Sequence, residues 1–175
     1  EKNNIAFIVP AYNVANYIDA CLESITGSLL PGDEIILIND GSTDGTEKKC
    51  RDWHTRFPNA INFISQPNQG LSAARNRGIR ESKAPHILFV DSDDVIVTST
   101  LNLARHTLLE YEPDIIVCDF HWWHPNRPIQ HQCSPKLSHP PGLLQTDTDN
   151  FLLETLEDSI FSACSRIFSS KLIKS

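Results

Sequence analysis

Short, mainly apolar runs recur along the first two thirds of the chain. They fall at 5–9, 35–38, 61–64, 87–90 and 115–118. Runs of this length with little polar alternation are typical of strands that are buried on both faces of a parallel sheet. The pattern therefore predicts five strands, of which those at 5–9, 35–38 and 87–90 are buried.

The segments between these runs carry helix signals. The first has apolar residues at helical spacing, namely Ile18, Leu22, Ile25 and Leu29. Before them stands Asn13, a residue type that caps helix N-termini. Asp44, with Glu47 three residues later, resembles a capping box that would begin a second helix. Segments 72–80 and 99–111 predict two more helices.

Strands that alternate with helices in this way favour βαβ units. We therefore expect an α/β fold in which a mostly parallel, twisted sheet is flanked by helices on both faces. The pattern weakens after residue 120. Segment 122–141 is rich in Pro, His and Ser and is expected to be a loop or irregular insertion, 151–156 has helical spacing, and 160–173 is ambiguous.

Composition narrows the functional classes. The chain has 175 residues, of which 40% are apolar and 21% charged, as in one soluble globular domain. Its net charge of −7 and the lack of a basic cluster disfavour nucleic-acid binding. Its apolar runs are far shorter than the roughly 18 residues that a membrane span needs, so no transmembrane segment is expected.

The cysteines indicate a cellular compartment. They are Cys21, Cys50, Cys118, Cys133 and Cys164. Their number is odd, and no Cys-x-x-Cys pair suggests a zinc site or a thiol-exchange centre. We therefore expect reduced, partly buried thiols in a cytoplasmic protein, with peripheral association at the inner face of the membrane as a variant of that location.

Polar clusters follow four of the predicted strands, at the point where each strand ends. The clusters are 10–13, 40–44, 66–75 and 91–94. The ligand crevice of an open α/β sheet lies outside the carboxyl ends of its strands. Four clusters that converge on one edge of the sheet therefore predict a binding site there.

The most informative cluster is 91–94, with the sequence Asp-Ser-Asp-Asp. Three carboxylates in four residues repel one another unless a cation or hydrogen-bond donors compensate. A hard divalent cation, held by one or two carboxylates and by the phosphate oxygens of a substrate, would do so. Helix capping in a solvated loop is the alternative. An EF-hand calcium loop is excluded, because Ile96 and Asn102 stand where that loop needs glycine and glutamate.

The cluster at 66–75 has the features of a phosphate site. Asn68 and Gly70 precede the predicted third helix, and Arg75 lies one turn into it. Helix N-termini attract phosphate, and arginine can pair with phosphate bidentately. A solvated arginine face is the alternative. Beside an acidic metal site, the phosphate interpretation matches what a nucleoside diphosphate with a metal ion requires.

Four segments stand in a fixed order along the chain: IVPAYN at 8–13, NDGSTDG at 39–45, QPNQGLSAARNRG at 66–78 and FVDSDD at 89–94. Together they resemble the signatures of the family 2 inverting glycosyltransferases with the GT-A fold. The resemblance implies that residues 1–120 form the nucleotide-sugar-binding part of a single GT-A domain. Residues 121–175 would then begin the acceptor-binding part, which we expect to be truncated.

The resemblance implies a metal-dependent transfer, with inversion, from a UDP-sugar to a saccharide or lipid-linked saccharide acceptor. Pro10 and Tyr12 would line the base pocket, and Asp40 would accept a hydrogen bond from the base. Asp91 would face the ribose and, with Asp93, hold Mn²⁺ or Mg²⁺ against the diphosphate. The residues expected to contact the nucleotide are Pro10, Ala11, Tyr12, Asn13, Asp40, Ser42, Asp44, Asn68, Gly70, Arg75, Asp91 and Ser92.

The general base is the residue that the sequence does not identify. Members of the family carry it in a Glu-Asp or similar pair after a Trp-Asn-Lys-Leu-Tyr segment. Segment 163–168 resembles that segment with several substitutions, and the expected pair does not follow it. We therefore expect the base beyond Ser175, with Asp119 and Asp158 as weaker candidates.

Two other functions fit part of the pattern. A nucleotide-sugar-binding module that lacks a general base would keep all four motifs. A haloacid-dehalogenase-type phosphatase also has a buried strand followed by Asp-x-Asp, in which the first Asp is the nucleophile. That family carries the motif near the start of the chain, however, and the loops around Asp40 and Arg75 would then have no role.

Overall fold

The computed structural model describes residues 2–118 and 166–174 with their side chains, and the backbone of 122–124 and 127–130. Strands and helices alternate through most of this part of the chain. In order they are β1 (Ile5–Ala11), α1 (Ile18–Thr26), β2 (Glu34–Asp40), α2 (Thr46–Arg56), β3 (Ile61–Gln66), α3 (Leu71–Glu81), β4 (His86–Phe89), α4 (Thr98–Tyr111), β5 (Ile115–Val117), β6 (Trp122–His124), β7 (Arg127–Gln130), β8 (Arg166–Ser169) and α5 (Ser170–Lys174).

The main sheet has six strands in the order β3-β2-β1-β4-β8-β5. Strands β3, β2, β1 and β4 pair in parallel, whereas β8 pairs antiparallel with both β4 and β5. The prediction of a mostly parallel sheet is confirmed. Its antiparallel member comes from segment 160–173, whose pattern was ambiguous.

Strands β6 and β7 form a separate antiparallel pair. The prediction of a loop or irregular insertion is therefore wrong for 122–124 and 127–130. Two such short strands are held together by backbone hydrogen bonds. The composition of the segment, which is rich in Pro and His, does not reveal these bonds. The predicted helical segment 151–156 lies outside the described residues.

Helices cover both faces of the sheet, as predicted. On one face Phe7 and Val9 of β1 pack in a cluster with buried residues of α1, α2 and α4. On the other face Ala6 and Ile8 of the same strand pack with α3 and α5. All four of these β1 side chains are fully buried. Strand β1 is therefore the centre of the core, and the cleft described below opens at its carboxyl end.

Asn13 does not cap the first helix, so that prediction is wrong. Helix α1 begins at Ile18, and the residue before it, Tyr17, makes no capping hydrogen bond through its side chain. The side chain of Asn13 instead accepts a hydrogen bond from the backbone N–H of Thr43, at 2.8 Å. This partner is distant in sequence, and local patterns do not reveal it.

The predicted capping box at the second helix does not form, because α2 has Gly45 at its N-cap and no side-chain capping hydrogen bond. The carboxylate of Asp44 accepts a hydrogen bond from the backbone N–H of Thr46, at 2.8 Å. Glu47 does not complete the box, because its carboxylate is paired with Arg51 at 2.6 Å. Asp44 is thus part of the α2 start and also, as shown below, part of a contact with a neighbouring loop.

A buried ion pair joins α4 to the amino-terminal end of the sheet. Arg105 Nη2 lies 2.5 Å from Asp33 Oδ2, and the two side chains are 5% and 0% exposed. Asp33 also accepts hydrogen bonds from the backbone N–H groups of Ile5, at 2.9 Å, and Leu30, at 2.7 Å. One carboxylate therefore connects the start of β1, the loop before β2 and helix α4.

Gly78 allows α3 to lie close against β1, and we expect Gly78→Ala to destabilise the protein. A Cβ at this position would stand 2.3 Å from Cγ2 of Ile8, which is fully buried. Overpacking of this kind costs about 1–3 kcal/mol, part of which the better helix propensity of alanine offsets. Urea unfolding measures the change.

Gly45→Ala is the matched control, because a Cβ at Gly45 would meet only Ala15 Cβ, at 3.7 Å. It should lower the free energy of unfolding by less than about 1 kcal/mol. A Gly78→Ala protein at least as stable as the wild type would contradict the tight approach of α3 to β1.

Candidate functional site

A cleft of about 320 Å³ opens where β1, β2 and β4 end. The four polar clusters that the sequence places after the strands all contribute to this edge of the sheet. The residues that line the cleft are Pro10, Ala11, Tyr12, Val14, Asp40, Asn68, Gly70, Leu71, Ala74, Asp91, Ser92 and Asp93. Val14, Leu71 and Ala74 were not predicted as site residues, because their apolar side chains carry no chemical signal of a site.

Asp40 shapes one wall of the cleft. Its side chain is buried, and its carboxylate accepts three hydrogen bonds from the β3–α3 segment. The donors are Gln66 Nε2 at 2.7 Å, the backbone N–H of Gln69 at 3.0 Å and the backbone N–H of Gly70 at 2.8 Å. Asp40 therefore holds the Gly-containing loop against the end of β2.

Gly41 makes this approach possible. It has a φ of +72°, and a Cβ there would stand 2.5 Å from the backbone N of Asn68. Only glycine combines this left-handed conformation with the absence of a side chain. The loop that carries Asn68 and Gly70 can consequently close over the end of β2.

Tyr12 follows β1 at the mouth of the cleft, and its side chain is 50% exposed. A large aromatic ring that is half exposed beside a buried carboxylate offers a flat surface on which a planar ligand can stack. Tyr12 and Asp40 directly follow the last register pair of β1 and β2, Ala11 with Asn39, so they form the end of the cleft at these two strands.

The other end of the cleft is acidic. Asp91 and Asp93 line it, and Asp94 lies beside them. Burial raises the pKa of Asp94, and the neighbouring carboxylates of Asp93 and Asp91 raise it further. The contribution of these two carboxylates reflects local negative charge, which a bound cation would relieve.

The described residues contain no group of three or more His, Cys, Asp or Glu side chains arranged to hold a metal ion. Asp91 and Asp93 would therefore supply only part of a coordination shell. Carboxylate oxygens suit Mg²⁺ or Mn²⁺, and Mg²⁺ commonly takes its remaining ligands from water and substrate phosphates. The pair fits a cation that binds together with a phosphate.

Arg75 does not line the cleft but contacts a residue that does. Its Nη2 lies 2.7 Å from Asp91 Oδ1, and the two side chains are 21% and 36% exposed. The guanidinium also lies over the ring of Phe89, 5.8 Å from its centre. Arg75 therefore links α3 to the acidic end of the cleft and orients Asp91.

Asn13, Ser42 and Asp44, which the resemblance assigns to the nucleotide, lie just outside the cleft lining. Each forms hydrogen bonds between the β1–α1 loop and the segment that follows β2. Their predicted contact with the nucleotide stays a prediction.

Cys21 contacts the backbone of the acidic loop from the protein core. It is fully buried, its thiol lies 3.6 Å from the backbone oxygen of Asp91, and burial raises its pKa. Burial likewise raises the pKa of the Cys50 thiol to about 12. Neither Cys21 nor Cys50 forms a disulfide in the part of the chain that the structure describes.

Several predictions concern residues that are not described. Asp119 and Asp158, the weaker candidates for the general base, lie outside the described residues, as do Cys133 and Cys164. In the ranges that are described, no helix has the length and apolar character to cross a membrane.

Sequence comparison relates the chain to bacterial glycosyltransferases. Residues 6–174 match the family described as "Glycosyl transferase family 2". "Glycosyltransferase GlyA" of Streptococcus pneumoniae is 39% identical over 119 residues, which are 68% of this chain and 17% of that protein. "Glycosyltransferase GlyG" of the same species is 32% identical over 118 residues, or 67% of this chain and 39% of that protein.

Solved structures share the fold. S. aureus TarS 1-349 superposes with a TM-score of 0.76 at 24% identity, over 98% of this chain and 48% of that one. Structures of TarS 1-349 in complex with UDP and with UDP-GlcNAc are known. The mannosyltransferase PcManGT from Pyrobaculum calidifontis, in complex with GDP-Man and Mn²⁺, gives a TM-score of 0.59 at 25% identity, over 66% of this chain and 35% of that one.

The chain spans less than half the length of each of these four proteins. The family match nevertheless covers residues 6–174 of this chain, which are nearly all of it. The sheet with helices on both faces is that of the GT-A glycosyltransferases. The phosphatase alternative finds no support in these relatives. The chain belongs to the family 2 glycosyltransferases, a family of transferases.

Proposed function

We propose that this chain forms the donor-binding part of an inverting, metal-dependent glycosyltransferase that uses a UDP-sugar. The observation that carries the proposal is the polarity of the cleft. One end holds an exposed aromatic ring, Tyr12, beside the buried carboxylate of Asp40, and the other end is acidic at Asp91 and Asp93. A base would occupy the first end and a diphosphate with its cation the second.

Asp40 keeps the capacity to contact a base. A carboxylate offers about four lone-pair sites, and three hydrogen bonds already reach it from the β3–α3 segment. One acceptor site on Oδ2 remains, and it would suit a single N–H donor such as N3–H of uracil. Tyr12 would stack on the same base. The contact is compatible with UDP, and the preference for UDP over other nucleoside diphosphates is supported by the UDP and UDP-GlcNAc complexes of TarS 1-349.

Asp93 and Asp91 would hold Mn²⁺ or Mg²⁺ at the diphosphate. When bound, such a cation neutralises the charge that builds on the departing diphosphate. Asp93 is exposed and can turn toward a ligand, whereas Asp91 has one oxygen engaged by Arg75. Asp93 is therefore the main protein ligand of the cation in this proposal. Asp91 would contact the ribose or share the cation with Asp93.

An acceptor hydroxyl needs a general base for in-line attack at the anomeric carbon. The carboxylates that line the cleft are Asp40, Asp91 and Asp93, and each has another role. The base would therefore come from outside the cleft lining described here. The proposed acceptor is a saccharide or lipid-linked saccharide, met in the cytoplasm or at the inner face of the membrane.

Asp93→Ala is expected to remove the metal dependence of UDP binding. Calorimetric titration of the wild type with UDP should show affinity that rises on addition of Mn²⁺. In the variant, the affinity with Mn²⁺ should fall at least about tenfold, because one carboxylate ligand is lost. Unchanged affinity in the variant would contradict the assigned role.

Asp52→Ala is the control for this experiment, because Asp52 lies on α2 and, among the described residues, forms an ion pair only with exposed Lys48, at 3.7 Å. It should bind UDP like the wild type. Failure of the wild type to bind any nucleoside diphosphate would refute the proposed function. Release of UDP in the presence of an acceptor would separate an active transferase from a binding module without a base.

A further inference from the structure

Two loops at the edge of the cleft are joined by a series of hydrogen bonds. Three consecutive backbone N–H groups of the β1–α1 loop donate to three side chains that follow β2. Asn13 N donates to Ser42 Oγ at 3.1 Å, Val14 N to Thr46 Oγ1 at 2.8 Å and Ala15 N to Asp44 Oδ2 at 3.2 Å. We call residues 13–15 and 42–46 with these bonds the loop clasp.

The clasp also has bonds in the reverse direction. Thr43 N donates to Asn13 Oδ1 at 2.8 Å. The backbone oxygen of Ala15 accepts from Lys49 Nζ at 2.6 Å, and the same ammonium pairs with Asp19 at 2.6 Å. Asn13 has a φ of 52°, a left-handed conformation that asparagine adopts more readily than most residues. The backbone of this loop is therefore held from both sides.

The clasp lies beside the two residues of the proposed base pocket. Strands β1 and β2 pair in register as far as Ala11 and Asn39, where regular backbone pairing ends. Tyr12 stands directly before the clasp on one chain segment and Asp40 shortly before it on the other. The clasp thus continues the connection of the two segments beyond the edge of the sheet and sets how far apart these residues lie.

The clasp side chains use their acceptor atoms within the protein. Both carboxylate oxygens of Asp44 accept backbone hydrogen bonds, from Thr46 at 2.8 Å and Ala15 at 3.2 Å. Hydrogen bonding by Thr46 holds the pKa of Asp44 below its usual value. Asn13 Oδ1 accepts from both the backbone N and the hydroxyl of Thr43.

We propose that Asn13, Ser42 and Asp44 are positioning residues, which fix Tyr12 relative to Asp40 and thereby set nucleoside recognition without contacting the nucleotide themselves. This inference rests on the proposed function, since it assumes that a nucleoside lies between Tyr12 and Asp40. The acceptor oxygens of these side chains serve the contact between the two loops and do not serve the ligand.

Pairs of variants test the inference. Asn13→Ala and Ser42→Ala remove the acceptor oxygen, whereas Asn13→Asp and Ser42→Thr keep it. The alanine variants should weaken UDP binding about five- to tenfold, the effect of one net hydrogen bond. Asn13→Asp and Ser42→Thr should bind UDP within about threefold of the wild type.

Pyrophosphate with Mn²⁺ is the probe for the other end of the cleft. Its binding should stay within about twofold of the wild type in all four variants, because the clasp acts at the base end. Loss of UDP binding in Asn13→Asp equal to that in Asn13→Ala would indicate a direct contact through the amide nitrogen and overturn the inference. Equal loss of UDP and pyrophosphate binding would overturn it too.

Hydrogen exchange in the ligand-free protein gives a readout that does not depend on the proposed function. The backbone N–H groups of residues 13–15 and 43 should exchange slowly in the wild type and faster in Asn13→Ala and Ser42→Ala, while amides of β1 stay protected and show that the variants fold. If UDP binds although the loop amides of the wild type are unprotected, the clasp is overturned and the proposed function stands. Protected amides without binding of any nucleoside diphosphate would refute the proposed function and the positioning role together.

Discussion

Asp40→Ala is expected to lower the affinity for UDP at least about a hundredfold, the largest effect on binding that the structure predicts. The substitution removes the acceptor proposed for the base. It also leaves three donors of the β3–α3 segment, Gln66 Nε2 and the N–H groups of Gln69 and Gly70, without their partner. Each buried donor left unsatisfied costs about 1–3 kcal/mol, so the loop should move away from the end of β2.

Two measurements separate the direct and indirect parts of this effect. Backbone amide chemical shifts of Gln69 and Gly70 should change in ligand-free Asp40→Ala, because their hydrogen bonds are lost. Gln66→Leu removes one of the three donors without touching the cleft lining, and it should weaken UDP binding about threefold to tenfold. Unchanged shifts in Asp40→Ala would show that Asp40 does not anchor the loop.

Arg105→Met is expected to destabilise the protein by about 3–5 kcal/mol, because it leaves the Asp33 carboxylate buried without its charged partner. This is a large fraction of the 5–15 kcal/mol that typically separates folded and unfolded states. The loss of stability should affect the start of β1 and helix α4, which Asp33 and Arg105 connect. Urea unfolding measures it.

An exposed ion pair provides the control. Arg51→Met breaks the pair with Glu47, in which the side chains are 62% and 37% exposed, and should cost no more than about 1 kcal/mol. The double variant Arg105→Met with Asp33→Asn should lose less than the sum of the single variants, because no buried charge is left alone. An Arg105→Met protein no less stable than Arg51→Met would show that the buried pair contributes little.

The central strands could be predicted from the sequence because their physical cause is local. Strands β1 and β2 are buried on both faces, and burial on both faces requires a continuous apolar run such as 5–9 or 35–38. The place of the cleft followed from the same strands, because in a parallel sheet their polar ends meet at one edge.

The rest of the site depends on partners that are distant in the chain. Asp40 finds its donors 26 to 30 residues away, and Arg105 finds Asp33 at a separation of 72 residues. Asn13 has the residue type of a helix cap, yet its partner is Thr43 in another loop. Residue type and periodicity describe what a side chain can do locally, but the topology decides which partner it meets.

Strand β8 lies between β4 and β5, although both of those strands precede it in the chain. During synthesis, β4 and β5 therefore emerge before the strand that will join them, and β4 keeps an unpaired edge until residues 166–169 are available. Strands β1 to β4 can pair earlier, because all four have been synthesised once residue 89 is reached. Closure of the sheet at β8 consequently waits for residues 166–169, and until then the open edge of β4 can associate with another strand.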